Sequence, residues 1–208
     1  MSGSRPARFL ALGDSYTIGE SVAESERWPV LLAARIRAHG VAIAEPEIIA
    51  RTGWTTDELA DGIREASPRG PYALVTLLIG VNDQYRELVI ESYALGFAAL
   101  LNQAIGFAGG DAARVVVLSI PDWGVTPFAA GRDRARIASE LDAFNRVNAE
   151  AARLAGARCV DVTGCSRKAA RDSSLIAPDG LHPSGRMYGA WADLALPAAL
   201  EALGDAVR

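Results

Sequence analysis

The stretch GDSY, Gly13 to Tyr16, sets an acid and a serine directly after an apolar run. A serine there becomes a nucleophile only if a base stands close by to take its proton and a third group fixes that base. The chain has two histidines. His39 lies in RIRAHG, in what reads as the last turn of a helix before Gly40, where an imidazole can satisfy helix carbonyls at the negative end of the dipole. His182 lies in APDGLHPSG, a loop punctuated by Pro178 and Gly180, and Pro183 pushes it toward extended backbone. Asp179, three residues upstream, is held near His182 by local geometry. Taken alone, a loop aspartate and a partly exposed histidine are ordinary; beside Ser15 they are not.

Three readings of Asp14-Ser15 are open from the residues themselves: a phosphate-cradling loop, an ordinary strand-to-helix turn, or a nucleophile at the edge of a sheet. A Walker loop ends in Gly-Lys-Ser/Thr, whereas Gly19 is followed by Glu20, whose carboxylate would repel phosphate. The dinucleotide fingerprint Gly-x-Gly-x-x-Gly is also missing after every apolar run. Acyl transfer needs donors where charge develops on the carbonyl oxygen. Gly53 in RTGWTTDEL, with Gly80 and Asn82 in IGVND, stand at the ends of two further apolar runs and can supply them. Each is a routine turn residue alone. Chemistry-bearing residues placed after several different strands are less routine.

Elements that would position these residues are legible from period. Arg8–Leu12, Glu47–Ala50, Tyr72–Ile79, Arg114–Ile120 and Arg158–Val162 are short, continuous and rich in Val, Ile and Leu, as strands buried on both faces are. Between them, Trp28–Ala38, Asp57–Ala66, Ser92–Ala108, Arg132–Leu154 and Arg186–Leu203 have helical spacing. Thr55 and Glu58 have capping-box spacing ahead of the second helix. Alternating strands and helices predict an α/β fold, a parallel five-stranded sheet in a three-layer α/β/α sandwich. No repeat or linker interrupts the series, so one domain over residues 1–208 is expected. In such sheets ligands bind outside the carboxyl ends of the strands.

Composition narrows the partners. The chain has 208 residues, 50% hydrophobic and 22% charged, with a net charge of -4, enough for a sizeable core and without a basic face for nucleic acid. No apolar run reaches the ~20 residues of a membrane span, so integral membrane association is not expected. MSGSRPARF carries arginines and no long apolar run after them, so a cytoplasmic protein is expected, although a mature secreted form reads the same. Two cysteines, Cys159 and Cys165, lack Cys-x-x-Cys spacing and read as structural thiols, with a local disulfide left open.

The blocks GDSYTIG, TGWTTDEL, GVND and DGLHPS, in this order, make the chain resemble the SGNH hydrolases, the GDSL esterase/lipase superfamily. The resemblance spans nearly the whole chain. It implies a flavodoxin-like sandwich and a serine esterase that acts on small carboxylic esters through an acyl-enzyme, with no metal or organic cofactor. It also implies Ser15 as nucleophile, His182 as base and Asp179 as its orienting acid. The Ser15 and Gly53 N–H groups and the Asn82 side chain are implied as the oxyanion hole. Tyr16 departs from the fourth letter of the family name, which weakens any inference of lipase activity, and Asp14 is expected to brace the turn. Trp123 and Phe128, in the connection Ile120–Arg134, are candidate pocket residues; Trp28, Trp54 and Trp191 read first as core or helix-packing residues, and Trp54, beside Gly53, is a candidate pocket residue as well. Thioesters, lysophospholipids and acetylated sugars are alternative substrates of the same triad. A flavodoxin-like binding module without hydrolysis is the alternative from another class. Oligomeric state is not legible.

Overall fold

The computed structural model describes residues 5–204. Residues 1–4, which open the N-terminal stretch considered above for a leader, lie outside them. Five strands, β1 (Phe9–Gly13), β2 (Glu47–Ala50), β3 (Leu74–Leu78), β4 (Val115–Leu118) and β5 (Arg158–Val160), form one parallel sheet in the order β2-β1-β3-β4-β5. β1, β3 and β4 are buried along their whole length, which is why their sequences are continuously apolar.

Among the described residues, eight α-helices complete the layers: α1 (Ser15–Ile18), α2 (Trp28–Ala38), α3 (Thr56–Ala66), α4 (Val81–Tyr85), α5 (Ile90–Phe107), α6 (Arg134–Ala155), α7 (Thr163–Ser166) and α8 (Gly185–Gly204). α2 and α8 pack together on one face of the sheet, and α3, α5 and α6 cover the other. Trp28 and Trp191 are fully buried, as their apolar neighbours lead one to expect. The capping box at the start of α3 is formed: Glu58 accepts from the Thr55 N–H at 2.8 Å, and Thr55 Oγ1 accepts from the Glu58 N–H at 3.5 Å.

The differences from the sequence expectation have local causes. α6 starts at Arg134 rather than Arg132 because Asp133 accepts from the Arg136 N–H at 3.0 Å and so caps the helix. β3 begins at Leu74 rather than Tyr72, whose N–H is drawn to the Phe107 carbonyl at 2.8 Å. The short helices α1 and α4, of four and five residues, carry no apolar period and were not expected. Cys159 and Cys165 are both free thiols.

The strand order puts the topological switch between β1 and β3, the place where open sheets of this kind leave a crevice at their carboxyl ends. Ser15 follows β1 and Asn82 follows β3, so the switch point lies between the two residues with most to contribute chemically.

Candidate active site

Ser15 opens α1 immediately after β1. Gly13 is needed there for space, because a Cβ at that position would lie 2.2 Å from Thr17 Oγ1 and 2.5 Å from the Leu78 carbonyl. Asp14 caps α1, its Oδ1 accepting the Tyr16 N–H at 3.0 Å. Asp14 is fully buried and its Oδ2 has no partner, and burial pushes the carboxyl up from 3.8 to about 8, against the opposing Tyr16 N–H. It is therefore mostly neutral near pH 7 and sets no full negative charge beside Ser15.

His182 comes from the loop before α8 and shares a pocket with Ser15. Its Nδ1 meets Asp179 Oδ2 at 2.6 Å, while Asp179 Oδ1 accepts the Leu181 and His182 N–H groups at 2.9 and 3.0 Å. Partial burial alone would raise the Asp179 carboxyl, but the bond to His182, the Leu181 N–H, the Ser21 hydroxyl and the His182 N–H hold it well below the usual carboxylate range. Asp179 is thus an ionised acceptor that fixes the imidazole with Nδ1 as donor and leaves Nε2 without a proton. Tyr16 packs edge-on against the His182 ring, centroids 5.7 Å apart, and against Trp191 on its other side. The residue that departs from the family name thus forms one wall of the histidine's seat. No hydrogen bond joins the Ser15 hydroxyl to a protein group among the described residues; such bonds are often long until substrate is bound.

The donors across the pocket are carried by α4 and the turn after β2. Gly53 adopts φ 86°, a left-handed conformation that favours glycine. Asn82 Nδ2 donates to the Trp54 carbonyl at 2.8 Å, which fixes the amide plane and leaves the second N–H for a ligand. Two further residues lock α4 to the same region. Asp83 accepts from the Thr56 N–H and, at 2.7 Å, from its hydroxyl; Arg86 donates to the Gly53 carbonyl at 2.6 Å and pairs with Glu58. Asp83 and Arg86 escaped the sequence reading, since acids and arginines flanking a short turn look like solvated surface.

Ser15, Tyr16, Gly53, Asn82 and His182 line one pocket of about 160 Å³, together with Thr52, Val81, Tyr85, Trp123, Phe128 and Leu181. Of the three aromatic residues expected to border it, the structure brings in Trp123 and Phe128 and corrects Trp54. The Trp54 ring lies against Gly62 of α3, so close that a Cβ there would be 2.1 Å from it, and only its carbonyl serves the site. Tyr85 and Leu181 take its place as walls; in sequence nothing distinguishes them from core residues. Trp123 is oriented by Gln84 of α4, which accepts its indole N–H at 2.9 Å, and the Phe128 N–H donates to the Gly180 carbonyl at 3.0 Å, docking the aromatic connection on the His182 loop. His39 is elsewhere: its Nδ1 lies 3.0 Å from the Arg35 carbonyl at the end of α2. Among the described residues, no group of three or more His, Cys, Asp or Glu could hold a metal ion, and no helix is long and apolar enough to cross a membrane.

An α/β/α sandwich with a serine, a histidine–aspartate pair and convergent donors at its switch point defines a class of hydrolytic sites. The chain belongs to the GDSL-like lipase/acylhydrolase family, whose model matches residues 11–190, and it is a hydrolase of ester bonds. No curated protein matches it by sequence. In fold it is similar to TesA, at 20% identity and a TM-score of 0.73, with 94% of this chain and 99% of that one covered. It is likewise similar to Axe2, an acetylxylan esterase from Geobacillus stearothermophilus, at 16% identity, a TM-score of 0.69 and coverage of 98% and 97%. A lipase/acylhydrolase from Enterococcus faecalis follows the same fold at 21% identity, a TM-score of 0.65 and coverage of 92% and 94%.

Proposed function

We propose that the protein is a serine esterase of small, short-chain carboxylic esters. Ser15 attacks the ester carbonyl while His182 Nε2 takes its proton; the Ser15 and Gly53 N–H groups and the Asn82 amide bind the oxyanion; His182 then protonates the leaving alcohol. Water repeats the sequence on the acyl-enzyme. The carrying observation is the His182–Asp179 pair at 2.6 Å lining the pocket that also holds Ser15 and Asn82. Thioester and sugar-acetate hydrolysis use the same chemistry. The apolar wall of Val81, Tyr85, Trp123, Phe128 and Leu181 favours a hydrocarbon chain over a sugar ring. A cytoplasmic setting with small-molecule substrates fits this reading.

About 160 Å³ is small beside the ~300–1,000 Å³ of drug-sized ligand sites, so a short chain is favoured. Across activated esters from acetate to decanoate, kcat/KM should rise about threefold to fourfold per methylene while each is buried, and stop rising at a short chain length. Phe128→Ala should extend the series by opening the exposed end of the wall. A series that is flat or falls from acetate, with acetylated sugars turned over faster, would replace this substrate class by the carbohydrate alternative.

Asp14 gives a pH expectation. Its folded carboxyl titrates near 8 and its unfolded one near 3.8, so between these values the folded state holds the extra proton and stability declines as pH rises through that window. Turnover should fall above about pH 8 as a buried charge appears on the residue that precedes Ser15, where it opposes the negative charge of the transition state. Asp14→Asn keeps an acceptor for the Tyr16 N–H and should remove that alkaline limb. A limb unchanged in the variant would exonerate Asp14.

A further inference from the structure

Asp179 Oδ2 has a second donor besides His182, the hydroxyl of Ser21, at 2.7 Å. The remaining bonds to the carboxylate come from Leu181 and His182, inside its own loop, and fix it only relative to that loop. Among the described residues, Ser21 alone reaches the Asp179 side chain by a hydrogen bond from a distant part of the chain, 158 residues away in sequence. It stands two positions after Gly19, the residue that closes α1, and α1 begins with Ser15. The bond therefore ties the acid–histidine loop to the element that carries the nucleophile.

The backbone of Ser21 points the same way. Its φ is 65°, a left-handed conformation that costs any residue with a Cβ and that glycine adopts freely. The hydroxyl is the one polar group serine offers there that glycine lacks. Its neighbour Glu20 accepts from the hydroxyl of Thr52, the pocket residue before Gly53, so two consecutive side chains of this turn reach the loops on either side of Ser15.

Resting on the assignment of Ser15, His182 and Asp179, we propose that Ser21 is a positioning residue of the active site. Its hydroxyl holds the Asp179 carboxylate, and through it the His182 ring, in register with Ser15. A donated hydrogen bond also withdraws charge from the carboxylate. Without it Asp179 becomes a more basic partner and the imidazolium is better stabilised, so the base gives up its proton at higher pH. The other ionisable groups around the pair are Tyr16 on α1, which packs on the His182 ring, and Tyr188 on α8, both of which feel the Asp179 charge; Asp14 and Asp122 act on Tyr16, and Asp14 and Glu20 on Tyr188. They are common to all variants, and Asp14 acts on the alkaline side, away from the limb that reports His182.

Two substitutions separate hydroxyl from backbone. Ser21→Ala removes the hydroxyl and keeps the strained φ, whereas Ser21→Gly removes the hydroxyl and relieves it. Both should lose about three- to tenfold in kcat with KM nearly unchanged, because bonds to ionised groups are among the stronger ones. Both should move the midpoint of the acid limb upward by about half a pH unit. Ser21→Gly should melt no lower than Ser21→Ala. Wild-type kcat and an unmoved limb in both variants would overturn the proposal, and so would loss in Ser21→Ala with full activity in Ser21→Gly, which would make the role one of backbone shape. His182→Ala, assayed alongside, keeps the two levels apart: if it retains turnover the triad itself falls, and if it is inactive while both Ser21 variants match wild type, Ser21 alone is dismissed.

Discussion

Alanine at position 15 is expected to give a protein that folds and melts like the parent and hydrolyses esters about 10⁴–10⁶-fold more slowly, the range seen when the nucleophile of a serine hydrolase is removed. Folding should survive because the Ser15 hydroxyl holds no protein partner among the described residues, so nothing buried loses a bond. On the proposed mechanism, its loss leaves the oxyanion donors and the imidazole in place but removes the bond-forming atom. Other serines that follow strands or enter helices are committed elsewhere. Ser119 donates to Asp161 and accepts from the Val162 and Thr163 N–H groups, Ser166 donates to the Thr163 carbonyl, and Ser184 donates to the Ser174 carbonyl. A fluorophosphonate probe followed by peptide mass spectrometry should label Ser15 alone. Label at Ser119, Ser166 or Ser184, or turnover by the alanine variant within tenfold of wild type, would place the nucleophile elsewhere.

The three central strands, β1, β3 and β4, could be read because burial along their whole length leaves no room for polar residues; β2 and β5, at the sheet's edges, are only partly buried and were read from their place in the strand–helix alternation. The residues after the strands could be read because chemistry limits which types can serve. What escaped is of another kind. α4 is five residues long, and its sequence VNDQY shows no amphipathic stripe. Yet Asn82 faces the pocket, Asp83 holds Thr56, Gln84 orients Trp123 and Tyr85 is a wall, with Arg86 at its end holding Gly53. A helix this short is stabilised by those contacts rather than by propensity, so its existence depends on partners that lie 27 or more positions away in sequence. Of the two readings of Trp54, the helix-packing one stands and the pocket one failed for the complementary reason. Adjacency to Gly53 in sequence says nothing about direction, and the ring turns toward the space that Gly62 leaves on α3. Ser21 is a third case, since a serine after a glycine in a polar turn has no signature until Asp179 is seen to reach it.

The same cluster of contacts makes Asn82 the residue whose two readings give opposite kinetic signatures. As a turn residue it acts on folding: Asn82→Ala would lose the bond from Nδ2 to the Trp54 carbonyl, lower the melting temperature and leave turnover nearly intact. As an oxyanion donor its second N–H meets the carbonyl oxygen most strongly once that oxygen is charged, so its loss raises the barrier and changes ground-state binding little. The structure adds that folding should suffer modestly in either case, because Asp83 and Arg86 still bind α4 to the turn at Thr56 and Gly53. We therefore expect kcat to fall about 10²–10³-fold, roughly 3–4 kcal/mol, with KM nearly unchanged and only a small change in melting temperature. Steady-state kinetics beside a thermal melt decide it. A marked drop in melting temperature with kcat within about threefold of wild type, under 1 kcal/mol of barrier, would take Asn82 out of the chemistry and leave it as a strut between α4 and the Gly53 turn.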